Sequence, residues 1–89
     1  MTKIKVKKIT DGDTFQSTRG GFYRLADVNA PEKRERGYQK AKETLKQLIE
    51  DEKLITKVEG TSYGRKVVIA RIPGEKTTIN EKMRRKGYK

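Results

Sequence analysis

The sequence predicts a mainly β chain with helices, a five-stranded OB-type barrel in the order βββ-α-ββ-α. Three observations support it. Short apolar stretches recur between Gly- and Pro-containing turn signals; residues 38–49 switch to helical spacing; and a short capped segment near residue 80 reads as a second helix. At 89 residues the chain has room for one compact domain, residues 1–89, built round one modest core.

Ile4 and Val6 alternate with Lys3, Lys5 and Lys7, and Ile9 follows, so residues 3–9 read as a half-buried strand. Asp11-Gly12-Asp13 breaks it with a turn. Thr14 to Ser17 forms a second strand, Arg19-Gly20-Gly21 a second turn, and Phe22 to Val28 a third strand, completing a meander. Pro31 ends the meander because proline lacks the ladder donor and disfavours helix before it. Residues 33–36 are a basic loop closed by Gly37. Tyr38, Ala41, Leu45, Leu48 and Ile49 then share one face of an amphipathic helix over 38–49, with Lys40, Lys42, Glu43, Lys46 and Gln47 outside. Leu54 to Val58 and Lys66 to Ile72 read as strands joined by Gly60 to Gly64. Pro73-Gly74-Glu75-Lys76 is a turn, and Asn80 is the expected N-cap of a final helix over 80–86, with Gly87 as its stop.

Composition narrows the chemistry. Lys plus Arg number 23 against 12 acids, a formal charge of +11, and charged residues make up 39% of the chain. Such numbers raise disorder as a first alternative, which the regular placement of the apolar residues argues against. There is no Cys, hence no disulfide, thiolate metal site or Cys nucleophile, and no His, hence no Ser-His-Asp triad, imidazole catalysis or HExxH zinc site. Catalysis must draw on carboxylates, Arg, Lys, Tyr or a hard metal ion on oxygen ligands. No apolar run reaches the length of a membrane span or a signal peptide, so no membrane partner is expected and the compartment stays open between cytoplasmic and a mature secreted form. The charge points to a polyanionic partner, nucleic acid first. Basic ribosomal and chromatin-type domains carry similar charge without being enzymes, so charge indicates the partner and not an activity. The expected state is a monomer.

Four clusters carry candidate chemistry: Asp11-Gly12-Asp13-Thr14, Arg24 in the third strand, Asn29-Ala30-Pro31-Glu32 where that strand ends, and Tyr63-Gly64-Arg65 before the fifth strand. Each has a plain alternative as a hairpin turn, a solvated charge or a loop. Taken in order, Asp11-Gly12-Asp13-Thr14, Arg24-Leu25 leading to Val28-Asn29-Ala30-Pro31-Glu32, Tyr63-Gly64-Arg65 and Ile79-Asn80-Glu81 resemble the staphylococcal nuclease (thermonuclease) family over nearly the whole chain.

The resemblance implies a five-stranded OB barrel and a calcium-dependent nuclease acting on DNA and RNA, expelling the 5′-oxygen and leaving 3′-phosphates. A phosphodiester is anionic and resists hydroxide, so its hydrolysis requires charge neutralisation and a positioned water. A hard divalent cation supplies part of this, with carboxylates and carbonyls as ligands. Asp13 is the expected main ligand, joined by Asn29, the carbonyl of Ala30, and Asp11 directly or through water. Glu32 is the expected group to orient or deprotonate water, and Arg24 and Arg65 the expected phosphate clamps. Tyr63 is a candidate for hydrogen bonding to phosphate or stacking on a base. Lys33, Arg34 and Arg36 either hold flanking phosphates or form a solvated loop. Lys3, Lys5, Lys7 and Lys8 read as a solvated face with non-specific electrostatics, and Arg84, Arg85 and Lys86 as complements of a helix dipole.

Two departures stand out. The family pattern has Asp where this chain has Asn29, which removes one negative charge from the metal site and predicts weaker calcium binding. Strand alternation would set Asp27 beside Asn29, restoring charge there, or Asp27 is simply solvent-exposed. The family pattern also continues into a third helix that these 89 residues do not include. The rival functional readings are a catalytically weak or inactive OB-fold nucleic-acid-binding module, and a protein–protein adaptor.

Overall fold

A computed structural model describes residues 2–89. The elements are β1 (Thr2–Asp11), β2 (Thr14–Ser17), β3 (Phe22–Leu25), α1 (Tyr38–Ile49), β4 (Lys53–Ser62), β5 (Arg65–Arg71) and α2 (Ile79–Arg85). The five strands close into a barrel in the order β1-β2-β3-β5-β4, OB-fold-like as the element order predicts. β3 and β5 pair parallel, and the other neighbours pair antiparallel.

β1 is the long strand that serves two partners, β2 at its C-terminal half and β4 at its start. Simple alternation would send Ile9 outward if Val6 points in. Two β1 steps, Val6 to Lys8, face a single β2 step, Ser17 to Gln16, so Lys7 is extra and the register shifts. The bulge lets Val6 and Ile9 both enter the core. A second shift between Ile9 and Asp11 bends the strand into the Gly12–Asp13 turn.

β3 is shorter than expected. It stops at Leu25, and Ala26–Asp27 form a turn in which Asp27 takes a positive φ of 58°. The strand alternation invoked for Asp27 and Asn29 therefore does not apply, and Asp27 is exposed. β4 instead runs longer than expected, through Gly60 and Thr61 to Ser62, absorbing a register shift between Val58 and Gly60. Its turn is only Tyr63–Gly64, with φ of 49° and 77°, between the paired residues Ser62 and Arg65. Positive φ at both loop residues is the hallmark of a type I′ hairpin, which matches strand twist.

α1 occupies the range its periodicity predicts and buries Ala41, Leu45 and Ile49. It enters through Gly37 at φ 88°, a conformation that suits glycine, and no side chain caps it. α2 starts one residue earlier than expected, and Thr78 rather than Asn80 is its cap, the hydroxyl accepting from Glu81 N at 3.0 Å. Asn80 has another task. It is 1% exposed; its Oδ1 accepts from Ala70 N at 2.9 Å, and its Nδ2 donates to Ala26 O at 2.9 Å and Val68 O at 3.0 Å. The side chain thus ties α2 to β5 and to the chain leaving β3. The core beneath includes Phe15, Leu25, Leu45, Leu54, Val68 and Met83, all fully buried. Among the described residues no helix is long and apolar enough to cross a membrane.

Replacing Asn80 by Ala orphans a buried N–H and removes a donor from two buried carbonyls. Urea unfolding should show a loss of about 2–4 kcal/mol with the denaturant slope unchanged. A loss below about 0.5 kcal/mol would mean the clasp contributes no more than an ordinary surface contact.

Candidate active site

The Gly12–Asp13 turn brings a carboxylate to the outer face of the barrel beside β3. Asp13 O accepts from Leu25 N at 2.8 Å, which fixes the turn to the end of β3. Its side chain is held on three sides. Thr14 Oγ1 donates to Oδ1 at 3.0 Å, Ala30 N donates to Oδ2 at 3.2 Å, and Arg24 Nη2 lies 3.5 Å from Oδ2. Asp13 and Arg24 side chains are only 13% and 21% exposed, so water screens the pair less than an open surface bridge.

The two arginines arrive from neighbouring strands. Thr14 pairs with Arg24 across β2–β3, and Arg24 with Val67 across β3–β5. Arg65 sits two residues before Val67 and on the same face. Arg65 Nη1 donates to Thr14 Oγ1 at 3.1 Å, and its Nε donates to Ser62 O at 3.3 Å. Thr14, 2% exposed, is therefore the relay between Asp13 and Arg65, donating to one and accepting from the other. Sequence reading singled out the Asp-Gly-Asp-Thr run but gave Thr14 no role; a hydroxyl next to a candidate ligand was the available signal.

Arg24 is also engaged by the loop after β3. Its Nη2 donates to Asn29 Oδ1 at 2.9 Å and its Nη1 to Leu25 O at 3.1 Å. Asn29 N in turn donates to Tyr88 O at 3.4 Å, so the segment following α2 holds this loop from behind. Glu32 stands exposed on the cleft wall, its backbone N–H bonded to Glu35 Oε1 at 2.7 Å within the turn that leads to α1.

Asp11, Asp13, Arg24, Asn29, Ala30 and Glu32 share one cleft of about 370 Å³ with Pro31, Lys33 and Arg65. Seven of the expected catalytic and metal-ligating positions thus converge. Of the expected substrate contacts only Lys33 lines the cleft. Arg34 and Arg36 are exposed in the following loop, and Tyr63 projects into solvent at the β4–β5 turn, 97% exposed.

The α1 face closes the back of the turn. A Cβ on Gly12 would lie 2.6 Å from Ala41 Cβ and 2.7 Å from Ala30 Cβ, so only glycine lets the turn, the helix and the Ala30 loop meet this closely. Tyr38, at the start of α1, donates its hydroxyl to Thr10 O at 2.8 Å. Its pKa is raised above the usual value, first by burial and then by the neighbouring Asp11 carboxylate, which resists a second negative charge.

Could these residues hold a metal ion? Among the described residues no three carboxylate, His or Cys side chains form a ready-made metal cluster. The cleft does offer two carboxylates, Asp11 and Asp13, the Asn29 amide oxygen and the Ala30 carbonyl. An all-oxygen set of this kind suits a hard divalent cation. What it lacks is charge, since Asn29 contributes none and its oxygen already accepts from Arg24.

A family model described as staphylococcal nuclease homologue matches residues 23–89. The matched span includes Arg24, Asn29, Glu32 and Arg65, whereas Asp11 and Asp13 precede it and join the cleft through the fold. No curated protein sequence matches the chain.

The raised Tyr38 pKa has a readable consequence. In ultraviolet titration, the Tyr38 contribution, read as the difference between wild type and Tyr38→Phe, should ionise above the usual tyrosine range. The stability contributed by the neutral hydroxyl is complete below about pH 10, the unfolded value, and is lost as pH rises through the folded value. A difference curve centred at the ordinary tyrosine value would show that Tyr38 is not perturbed.

Proposed function

The chain belongs to the staphylococcal nuclease homologues, and from that premise we propose that it hydrolyses phosphodiester bonds of DNA or RNA with little sequence preference, using the Arg24–Asp13–Arg65 cleft. The observation that carries this reading is the convergence of two guanidinium groups and an exposed carboxylate, Glu32, on one cleft. Members of this family act on nucleic acids, and calcium is the cation the proposal assigns. Asp13, Asp11, Asn29 and the Ala30 carbonyl would hold it. When bound, such a cation acts as a Lewis acid on a phosphoryl oxygen.

The remaining steps belong to the chain's own residues. Arg24 and Arg65 grip the non-bridging oxygens and offset the charge that grows in the transition state, with donors that are always protonated. Thr14 keeps Arg65 aimed, since its hydroxyl already accepts from that guanidinium. Glu32 orients water and takes its proton as the oxygen attacks phosphorus, and the 5′-oxygen leaves with a proton from solvent, producing a 3′-phosphate.

A second reading has its own observation. Arg24 Nη2 bonds Asn29 Oδ1, so the position where the family pattern carries a charged ligand is here neutral and occupied by an arginine. On that reading the chain binds nucleic acid and cuts poorly.

Hydrolysis of single-stranded DNA separates the two. With millimolar calcium the wild type should cleave, EDTA should suppress it, and Glu32→Gln should lower kcat by about 10²–10⁴. Arg65→Ala should lower it by about 10²–10³. Equal activity in all these conditions removes the hydrolytic reading, and binding without cleavage favours the second. Asn29→Asp should lower the calcium concentration needed for half-maximal activity, because affinity rises with ligand charge.

A further inference from the structure

A groove of about 770 Å³ opens at the ends of β1 and β2 remote from the Gly12–Asp13 turn. Five cations line it, Lys3, Lys5, Arg19, Lys53 and Lys66, and no carboxylate does. All five are exposed, and none lies within ion-pair distance of a carboxylate among the described residues. The floor includes Tyr23, whose ring stacks on Phe15 at 5.6 Å and carries Lys66 Nζ 6.0 Å from its centroid.

The decisive detail is a pairing. Lys5 and Lys53 are directly opposite in the β1–β4 ladder, so both ammonium groups stand on one face of the sheet. Like charges directly opposite destabilise a sheet, and here the pair sits among three further unpaired cations. A bound polyanion relieves that repulsion. The groove also adjoins the cleft through the chain itself. Tyr23 and Lys66 pair across β3–β5 and line the groove, while their sequence neighbours Arg24 and Arg65 line the cleft. Successive strand residues face opposite sides of the sheet, so the groove and the cleft open on opposite faces of the β3–β5 pair, and a strand gripped by the two arginines would pass round the start of β5 to reach the groove.

We propose that this groove is a second nucleic-acid-binding site, holding the phosphodiester backbone of a single strand beyond the segment seated in the cleft. Its choice of occupant rests on the nuclease reading above. The ligand is a run of phosphates, not a single anion, because five cations from four separate chain segments line the groove. OB folds engage about 4–16 nucleotides of single strand.

The test uses the full chain, a single-stranded DNA of about 16 nucleotides, and a dinucleotide-length substrate. Lys53→Glu replaces the like-charge pair with an opposite-charge pair. It should raise Tm by about 2–4 °C, which keeps the variant folded. It should also weaken binding of the long strand about tenfold, lower the slope of log affinity against log salt by about 1, and leave dinucleotide cleavage unchanged. Lys40→Glu, on the solvent face of α1, makes the same change in net charge and should do none of these. Equal losses in the two variants, or an equal loss on short and long ligands, would overturn the proposal. Absence of cleavage by the wild type, with the selective loss of long-strand affinity in Lys53→Glu, would retain the groove and discard the nuclease reading. Intact cleavage without that selective loss would do the reverse.

Discussion

The organisation of the cleft depends on how the Asp13 carboxylate is held. Four groups from four positions reach this one residue: Leu25 N on its carbonyl, Thr14 Oγ1 and Ala30 N on its carboxylate oxygens, and the Arg24 guanidinium beside them. A carboxylate held by several fixed donors is preorganised and loses little conformational freedom on meeting a ligand. The same contacts hold its neighbours. Ala30 is kept close to the turn, which keeps Asn29 and Glu32 on the cleft wall, and Thr14 passes the constraint to Arg65. The close approach of Gly12 to Ala41 and Ala30 allows this, because any side chain at Gly12 would push the turn off α1.

Charge is distributed unevenly between the two concave regions. The cleft has three carboxylates, Asp11, Asp13 and Glu32, and three cations, Arg24, Lys33 and Arg65, so its lining is formally neutral in a chain of +11. The groove has five cations and no carboxylate. Long-range attraction of a polyanion is thus supplied from outside the cleft, while the cleft offers a balanced set of donors and acceptors. With Asp at position 29 the cleft lining would be net negative. Asn29 removes that charge and gives Arg24 a neutral partner.

Much of this was legible in the sequence, for identifiable reasons. The helix over 38–49 was readable because Ala41, Leu45 and Ile49 repeat at helical spacing and the helix has a single buried face. The element order and the OB-type barrel followed from five strand-like stretches and the helix between the third and fourth, whereas the parallel pairing of β3 with β5 came only with the structure. The cleft residues were legible as motifs, but their convergence is a property of the closed sheet, which sets Thr14, Arg24 and Val67 side by side from three strands. Boundaries were less readable where tertiary bonds override local pattern. Val28 looks like a strand residue, yet the chain turns at Ala26, whose carbonyl is taken by Asn80. Asn80 looks like a cap, yet Thr78 caps the helix and the amide is spent on three buried backbone groups. Ile9 entered the core only through a bulge that no period reveals. The groove was invisible for a different reason: Lys5 and Lys53 are far apart in the chain, and a row of lysines reads as solvated surface until the ladder sets two of them opposite each other.

The barrel is closed by a parallel pair, β3 with β5, whose partners are separated by the whole of α1 and β4. During synthesis β3 therefore emerges with one side already paired to β2 and the other bare, and it stays bare until Arg65–Arg71 have left the ribosome. An unprotected sheet edge is a template for pairing with another chain. Phe22, still 42% exposed in the finished barrel, marks the start of that edge. The vulnerable period of this protein is thus the interval in which the last strand is missing.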